Sequence, residues 1–439
     1  MRACWLSLGV VFSVLVVPGA WAAEQGGADK SGVQAGSEGA PRSAARQLTV
    51  VVTGDTGFSR NHSPVHPKGV LKYGKRQPFA AATRGIASLI DGDINFTNIE
   101  TVITARNGLK RDLKGQRGPF NFRSHPNSMR ALVAAGFNVF SLSNNHTMDY
   151  RVAGLRDTLR EMAALKREVG GLFVYAGAGE DFQSAIASES FTVRDQQIAF
   201  SAVGIATNNL TRHMASADRP GQAAYRIDRH YKAVVDALAA TPAQYRMLSI
   251  HYGIEGRVRT DSRQIKEWRG QAANDNAIDL VIGHHAHVPR AIERSGDTVI
   301  FYGLGNFLHH GTANMGRKGV CKDFGVVGKV HLVATPAGRL VARAVEVTPV
   351  TQMHIAPKQM PASKGRLRIH ALNYLASKLP KNPRNAGENL RFKVRGDGTG
   401  YYCFPGASDL GGKVGALCAN WSGPSPVTSR SGIASSCRR

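Results

Sequence analysis

Residues 279–290, DLVIGHHAHVPR, place three histidines directly after an apolar run: His284, His285 and His287. Imidazoles this close together are typical of a metal site, a proton relay or a solvated loop. The choice among these depends on what else in the chain meets them. His285 and His287 alternate along an extended segment and therefore point the same way, which separates them from His284. We expect His284 to pack elsewhere or to form supporting hydrogen bonds.

Polar residues of related chemistry also end other predicted strands. Asp55 ends LTVVVTGD, Glu100 ends DINFTNIE, and His251 ends YRMLSIH. Asn145 and His146 follow the run FNVFSLSN. In open α/β sheets, ligand sites lie beyond the carboxyl ends of the strands, so we expect these residues to meet at one edge.

This mixture of residue types favours a transition metal. Carboxylate, amide and imidazole ligands suit divalent Mn, Fe or Zn better than Ca or Mg, which prefer shells of oxygen alone. There are enough candidates for one or two ions, and two ions roughly 3.5–4 Å apart would polarise a bound oxyanion and activate water. Taken singly, Asp55 is a turn former, the Asn145–His146 pair an Asx-turn and His251 a core histidine. Their joint placement favours a site.

The sequence lacks the motifs of serine hydrolases and of nucleotide-binding enzymes. The chain has no G-x-S-x-G nucleophile elbow and no Walker A loop. GAGED (177–181) is too loose for a dinucleotide fingerprint. The sequence therefore favours neither a serine hydrolase nor a nucleotide-binding enzyme.

Predicted strands and helices alternate along the chain, which indicates an α/β body with a parallel or mixed sheet. The predicted strands are 48–55, 93–100, 137–146, 172–179, 245–253, 277–285 and 297–307, with a hairpin over 190–206. The predicted helices are 79–90, 124–136, 150–170, 229–240, 262–275 and 363–379. Consecutive strands after residue 320 predict a second, antiparallel sheet segment.

The amino terminus has the features of a secretory signal peptide over residues 1–22. Arg2 precedes a mostly apolar run, and Ala20-Trp21-Ala22 is a small-x-small cleavage site. An uncleaved anchor is less favoured, because the run is shorter than the roughly 20 residues that span a membrane. Residues 23–46 are rich in Gly, Ala, Ser and charge and predict a disordered leader. We expect a secreted or periplasmic protein.

The rest divides into a domain over 47–350 and a carboxyl-terminal extension over 351–439. Four cysteines remain after signal removal: Cys321, Cys403, Cys418 and Cys437. An oxidising compartment favours two disulfides, with three alternative pairings, that staple the Gly-, Ser- and Arg-rich tail to the body.

The chain is strongly basic, with a formal net charge of +25. This charge suits a protein that works against polyanions, such as an anionic polymer or another polyanion of the cell envelope, although a merely basic protein has the same composition. No helix-turn-helix, zinc-finger or aromatic RNA-binding signature is present, so nucleic acid is not an expected partner.

The chain resembles the bacterial capsule-synthesis CapA family, also called the poly-γ-glutamate synthesis protein family, within the calcineurin-like metallophosphoesterase superfamily. The resemblance runs from about residue 48 to 310. It rests on VTGDTGFSR, DINFTNIET, SLSNNHTMDY, LSIHYGIE and LVIGHHAHVPRAIE with the later GLGNF. It implies a layered αββα sandwich with mixed sheets.

The resemblance also implies roles for individual residues. Asp55 corresponds to the first-motif ligand and Glu100 to the bridging carboxylate, and with His146 they form the implied catalytic set. His146 is implied as a catalytic acid or phosphate contact. The other implied metal ligands are Asn145, His251, His285 and His287.

The chain departs from the superfamily at three places. Gly57 stands where the first motif has a histidine, the second motif reads Asn-Ile-Glu, and Asn144 replaces a glycine before Asn145. These changes leave open two ions with altered ligands, one ion, or none in a binding role. The resemblance implies biosynthesis, export or attachment of a poly-γ-glutamate-like capsular polymer beside membrane-associated capsule machinery, with a metal-dependent, hydrolase-like site. The alternatives are a non-catalytic polyanion-binding subunit and a periplasmic phosphoesterase.

Overall fold

The structure is a computed structural model that describes residues 46–205, 210–273, 278–382, 389–428 and 431–438. The predicted signal peptide and nearly all of the predicted leader lie outside the described residues. The strands in the described part are β1 Gln47–Gly57, β2 Val70–Lys72, β3 Lys75–Gln77, β4 Ile94–Ile99, β5 Val102–Ile103, β6 Arg123–Ser124, β7 Val139–Ser141, β8 Val174–Ala176, β9 Ala178–Gly179, β10 Glu189–Val193, β11 Gln196–Gly204, β12 Gly221–Gln222, β13 Tyr245–His251, β14 Leu280–His284, β15 Ile292–Ser295, β16 Thr298–Phe301, β17 Asn306–His309, β18 Gly325–Ala334, β19 Leu340–Thr351, β20 Lys358–Gln359, β21 Lys393–Val394 and β22 Gly400–Cys403.

The longer helices in the described part follow the predicted segments, and several short helices that were not predicted lie between and after them. They are α1 Phe79–Thr83, α2 Pro126–Ala134, α3 Arg151–Val169, α4 Phe182–Ile186, α5 Leu210–His213, α6 Asp228–Ala240, α7 Ser262–Ala273, α8 Ala362–Ala376, α9 Gly412–Cys418 and α10 Ser431–Ser436. The longest, α3, ends at Gly170, which adopts a left-handed φ of 62° that glycine tolerates best.

Two large sheets carry the fold. The first has the strand order β21-β22-β19-β18-β1-β4-β7-β8, with β17 also paired to β1 and β20 to β19. The second has the order β10-β11-β13-β14-β16-β15. Strands β1, β4, β7 and β8 are parallel, and so are β11, β13, β14 and β16, whereas the outer pairs are antiparallel. Both sheets are therefore mixed.

Side-chain alternation along the strands shows how the layers pack. Val50 and Val52 of β1 join Phe200 and Met247 of the second sheet in one apolar core between the sheets. Val51 faces the other way and packs in a cluster with residues of α2 and α3. The outer face of the second sheet packs against α6, α7 and α8 in a third cluster. Helices thus cover the outer face of each sheet, which confirms the expected αββα arrangement.

Residues 297–307 were predicted as one strand, and this prediction is wrong. Thr298–Phe301 pairs within the second sheet, whereas Asn306–His309 pairs with β1 in the first. Gly305, at φ 73°, lies in the crossing between the sheets. A Cβ on the facing Gly54 would lie 1.9 Å from the Gly305 carbonyl oxygen, so the two backbones require this close approach.

Two other segments also differ from expectation. The predicted helix 79–90 ends at Thr83 and gives way to a 3-10 turn at Ala87–Leu89. Between them Gly85 lies so close to Pro357 that a Cβ there would be 2.8 Å from its carbonyl oxygen. The late strands β18 and β19 do pair antiparallel. They extend the first sheet through β1, however, and do not form a separate one.

The carboxyl-terminal part packs directly onto this body. Strand β22 pairs with β19, and one disulfide joins Cys321 of the body to Cys437 of the tail. The second disulfide, Cys403–Cys418, lies within the tail. The domain boundary at residue 350 stays a prediction. Among the described helices, none is long and apolar enough to cross a membrane.

Candidate metal centre

Asp55, at the carboxyl end of β1, is fully buried among polar partners. Its Oδ1 lies 3.2 Å from His284 Nδ1, and its Oδ2 lies 3.2 Å from His287 Nδ1. The amide of Asn98 donates to Oδ1 at 2.9 Å, and the backbone N–H of His285 donates to Oδ2 at 3.2 Å. Burial raises the pKa of Asp55, but hydrogen bonds from His284 and His287 outweigh it and hold the pKa well below its ordinary value.

Glu100, directly after β4, is a buried carboxylate surrounded by imidazole rings. Neither of its oxygens has a hydrogen-bond partner among the described residues. Its Oε1 lies 3.4 Å from His251 Nε2 and 3.8 Å from His287 Nε2, and its Oε2 lies 3.3 Å from His309 Nε2. Burial, and next the charge of Asp55, raise the pKa of Glu100 well above its ordinary value.

These residues form two ligand groups that share one carboxylate. Glu100, His251 and His285 each offer a donor atom, and the three atoms lie within 4.8 Å of one another. Asp55, Glu100 and His287 form a second group by the same measure. Asn145 Oδ1 lies 2.8 Å from His251 Nε2 and so borders the first group.

The donor set fits divalent Mn, Fe or Zn. It combines two carboxylates, three imidazoles and an amide oxygen, a mixture that these ions accept and Ca or Mg avoid. A buried carboxylate with both oxygens unpartnered is costly unless a proton or a cation neutralises it. Glu100 is such a carboxylate.

Histidine protonation is consistent with this assignment at two positions. Burial lowers the pKa of His251 well below its ordinary value and that of His285 to about 3. Both rings are therefore neutral near pH 7, the state in which imidazole binds a metal. Burial also lowers the pKa of His287, but Glu100 and Asp55 outweigh it and raise the pKa to about 10. A bound cation would compete with that proton.

The histidine triplet reaches the site by a different geometry from the one expected. Strand β14 ends at His284, and His285 and His287 have left-handed φ angles of 82° and 55°. They therefore do not share a direction by alternating along an extended segment. A tight bend aims them at the carboxylates, and such backbone conformations in non-glycine residues are concentrated at functional sites. The ring of His284 packs against Phe96, and its Nδ1 contacts Asp55 Oδ1.

His146 stands at the rim of the cluster, with its Nε2 4.0 Å from Glu100 Oε1. Its Nδ1 lies 2.7 Å from Asp149 Oδ2, and Lys114 forms a buried salt bridge with the other oxygen of Asp149. Burial raises the pKa of Asp149 to about 7, against the opposing charge of Lys114. Asp149 thus holds the ring with Nε2 facing the carboxylates.

All seven residues predicted for the site meet where strand ends of the two sheets come together. Several neighbours had no ligand or catalytic role in the sequence prediction. Asn98 and Asp149 belong to the same strand-end groups, His309 was a candidate only for the rim, and Lys114 lies in a basic run expected to be a solvated loop. Asn306 was not singled out. Asn306 Oδ1 lies 2.9 Å from His287 Nδ1, so an Nδ1–H bond to Asn306 leaves His287 Nε2 toward Glu100. The motif GLGN carried the available signal, since it delivers Asn306 beside Asp55 in the strand register. His62 and His66 lie in the loop of residues 58–69, and His62 contacts Pro119.

A basic loop, residues 104–122, borders the cluster between β5 and β6. It holds five Lys or Arg and one Asp. Lys114 and Phe122 point inward, and the Phe122 ring centroid lies 4.4 Å from that of His146. Lys110 and Arg117 are exposed. The loop therefore places positive charge beside His146.

Comparison with known proteins shows which family the sequence of this chain matches. Residues 49–310 match the family model described as bacterial capsule synthesis protein PGA_cap. A Mycobacterium tuberculosis protein described as a probable polyglutamine synthesis accessory protein is 29% identical over 261 residues, which cover 58% of this chain and 65% of that protein. The capsule biosynthesis protein CapA of Bacillus anthracis is 25% identical over 264 residues, covering 60% of each chain. The chain thus spans less than two thirds of these relatives.

The solved structures that align with this chain are distant. The calcineurin-like phosphoesterase YfkN from Bacillus subtilis aligns with a TM-score of 0.40 at 11% identity, covering 69% of this chain and 91% of that one. A phosphatase from Mycoplasma pneumoniae aligns with a TM-score of 0.40 at 12% identity, covering 70% and 94%.

Proposed function

The chain belongs to the bacterial capsule synthesis protein PGA_cap family, and on that premise we propose that it is a metal-dependent hydrolase acting on an anionic capsular polymer of the poly-γ-glutamate type. The observation that carries the proposal is Glu100, a fully buried carboxylate shared by two ligand groups with a histidine at their rim. Burying such a carboxylate in its charged form costs free energy unless a cation neutralises it.

The ligands proposed for one or two Mn, Fe or Zn ions are Asp55, Glu100, Asn145, His251, His285 and His287. When bound, such ions would polarise the scissile group and lower the pKa of water. The protein supplies the orientation of these ligands through Asn98, which bonds to Asp55, and through Asn306, which bonds to His287. Both asparagines thus hold a ligand side chain in place without belonging to the ligand groups themselves.

His146 is the proposed proton-transfer group. Its Nδ1 lies 2.7 Å from Asp149 Oδ2 and 3.1 Å from Lys114 Nζ. When Nδ1 carries the ring proton and donates it to Asp149, the ring can accept a proton at Nε2 from the attacking water and pass it to the leaving group. Lys114 neutralises Asp149, so the pair is buried without excess negative charge. Phe122 covers one face of the ring and limits access of bulk water.

Charge supports an anionic polymer as the substrate. The net charge of +25 and the five basic residues of the basic loop favour a chain of carboxylates over a neutral substrate. The names of the relatives refer to capsule and polyglutamine synthesis. We place the protein outside the cytoplasm, after cleavage following Ala22, beside membrane-associated capsule machinery.

The experiment incubates metal-free and Mn²⁺-loaded protein with poly-γ-glutamate and with generic phosphoesters, and measures new amino termini and released phosphate. We expect metal-dependent cleavage of the polymer that His146→Ala abolishes. Phosphate release alone would instead indicate a phosphoesterase unconnected with this polymer. Salt-sensitive binding to the polymer without cleavage, unchanged in His146→Ala, would indicate a non-catalytic scaffold. Either result would overturn the proposal.

A further inference from the structure

The two ligand groups are unequal in the number of protein ligands. Asn145 lies beside the group of Glu100, His251 and His285 and gives that group a fourth donor. The group of Asp55, Glu100 and His287 holds three. Zinc and its neighbours in the first transition row take at least four ligands, so this second group has room for one more.

His309 lies against the shared carboxylate of that group, Glu100. It ends β17 and is 1% exposed. Its Nε2 lies 3.3 Å from Glu100 Oε2, and that nitrogen has no hydrogen-bond partner among the described residues. Its ring meets the edge of the His287 ring, with centroids 5.8 Å apart. A buried imidazole nitrogen is thus aimed at the shared carboxylate beside the three-ligand group.

We infer that His309 is the fourth protein ligand of the ion held by Asp55, Glu100 and His287. This inference rests on the metal centre of the proposed function. Ligation through Nε2 requires the ring proton on Nδ1, which now accepts the Gly311 N–H at 3.2 Å. That contact, between residues two apart in one loop, must lengthen when the ion binds.

Strand register supplies a sharp test of this role. Gly57 of β1 pairs directly with His309 of β17. A Cβ added at Gly57 would lie 3.5 Å from His309 Nε2 and no closer than 3.4 Å to any other atom outside its chain neighbours. A side chain from position 57 therefore enters the same space, and Gly57→His can replace His309 from the neighbouring strand once His309 is removed.

The experiment titrates Mn²⁺ or Zn²⁺ into the metal-free full chain by calorimetry and counts bound ions by elemental analysis. We expect two ions for the wild type and, in His309→Ala, one ion or a second site weakened by at least about 100-fold. The double variant His309→Gly with Gly57→His restores the second ion. The matched control is His310→Ala, which removes a neighbouring buried histidine that stacks on Phe58 and is not among the imidazoles within 4.0 Å of Glu100. It keeps both ions.

The outcomes separate this inference from the proposed function. A wild type that binds no ion overturns the metal centre as a whole. A wild type that binds only one ion leaves the metal centre standing but overturns the second site and with it the role of His309. A wild type that binds two ions while His309→Ala binds both with unchanged affinity overturns the role of His309 alone. If His309→Ala loses the second ion and the double variant does not recover it, a histidine at position 57 does not occupy the place of His309. The melting temperature of each variant, measured without metal, identifies any that fail to fold. If His309→Ala fails to fold, His309→Gln is measured in its place and should likewise lose or weaken the second ion.

Discussion

His146 Nδ1 lies 2.7 Å from Asp149 Oδ2, three residues further along the chain. This contact leaves Nε2 of the same ring facing Glu100. A buried carboxylate that orients an imidazole in this way sets its tautomer and its direction. His146 is thus distinguished from the histidines that contact the carboxylates of the two ligand groups directly.

Replacing His146 should reduce turnover without removing metal. We expect His146→Ala to lower kcat by roughly 10²–10⁴-fold, because a positioned acid–base group contributes about this much. Asp149→Asn keeps the shape of the carboxylate and should lower kcat by roughly 10–100-fold. Polymer cleavage measured beside elemental analysis checks this prediction. Loss of both ions in His146→Ala would instead make the ring a ligand.

Neutralising the exposed part of the basic loop should weaken polymer binding selectively. We expect the triple change of Lys110, Arg111 and Arg117 to Ser to raise KM for poly-γ-glutamate several-fold and leave kcat unchanged, because these exposed charges attract the substrate but do not reach the ligands. The dependence of KM on ionic strength should also become shallower. Exposed Arg84, Lys358 and Arg366 lie outside the loop and supply a control of equal charge. Equal effects from both triple variants would contradict a specific role for the loop.

Acid stability should depend on Glu346. Burial raises the pKa of this carboxyl, but hydrogen bonds from His331 and Arg395 outweigh it and lower the pKa to about 2 from its ordinary value of 4.5. A depressed folded-state pKa gives stability that is complete above pH 4.5 and is lost as the pH falls toward 2. The free energy of unfolding of the wild type, relative to Glu346→Gln, should therefore fall by roughly 2–3 kcal/mol across that window. Urea unfolding at several pH values measures it, and a difference that does not vary with pH would refute the prediction.

The two disulfides should differ in their contribution to stability. Cys321–Cys437 closes a separation of 116 residues and Cys403–Cys418 one of 15. The chain-entropy model gives about 5 kcal/mol for the longer loop and about 3 kcal/mol for the shorter. Replacing the first pair with serine should therefore lower the denaturant midpoint more than replacing the second. The reverse order would show that the tail retains contacts with the body in the unfolded state.

Much of the fold was predictable because its signals are local. Apolar runs ended by Asp, Glu or His marked β1, β4 and β13. Parallel pairing brings Asp55 and Glu100 to one edge of the first sheet, and His251, at the end of a strand of the second sheet, meets Glu100 there. The residue types then indicated metal chemistry. These steps need only strand periodicity and the rule that strand ends gather at one edge.

The contribution of His309 was less accessible, because it depends on a chain crossing. The segment 297–307 looks like one continuous strand, whereas the structure divides it between the two sheets. Only that crossing brings His309 beside Gly57. In the same way, the left-handed bend at His285 and His287 is set by tertiary contacts and not by local propensity.

The most direct test of the metal centre is calorimetric titration of Mn²⁺ into the metal-free chain, compared with Glu100→Gln. Because both ligand groups share Glu100, this single change should abolish binding of both ions or weaken each at least about 100-fold. Glu346→Gln changes a carboxylate in β19, which β18 separates from β1. This control should bind Mn²⁺ as the wild type does. A wild type that takes up no Mn²⁺, or a Glu100→Gln variant that binds both ions unchanged, would contradict the account.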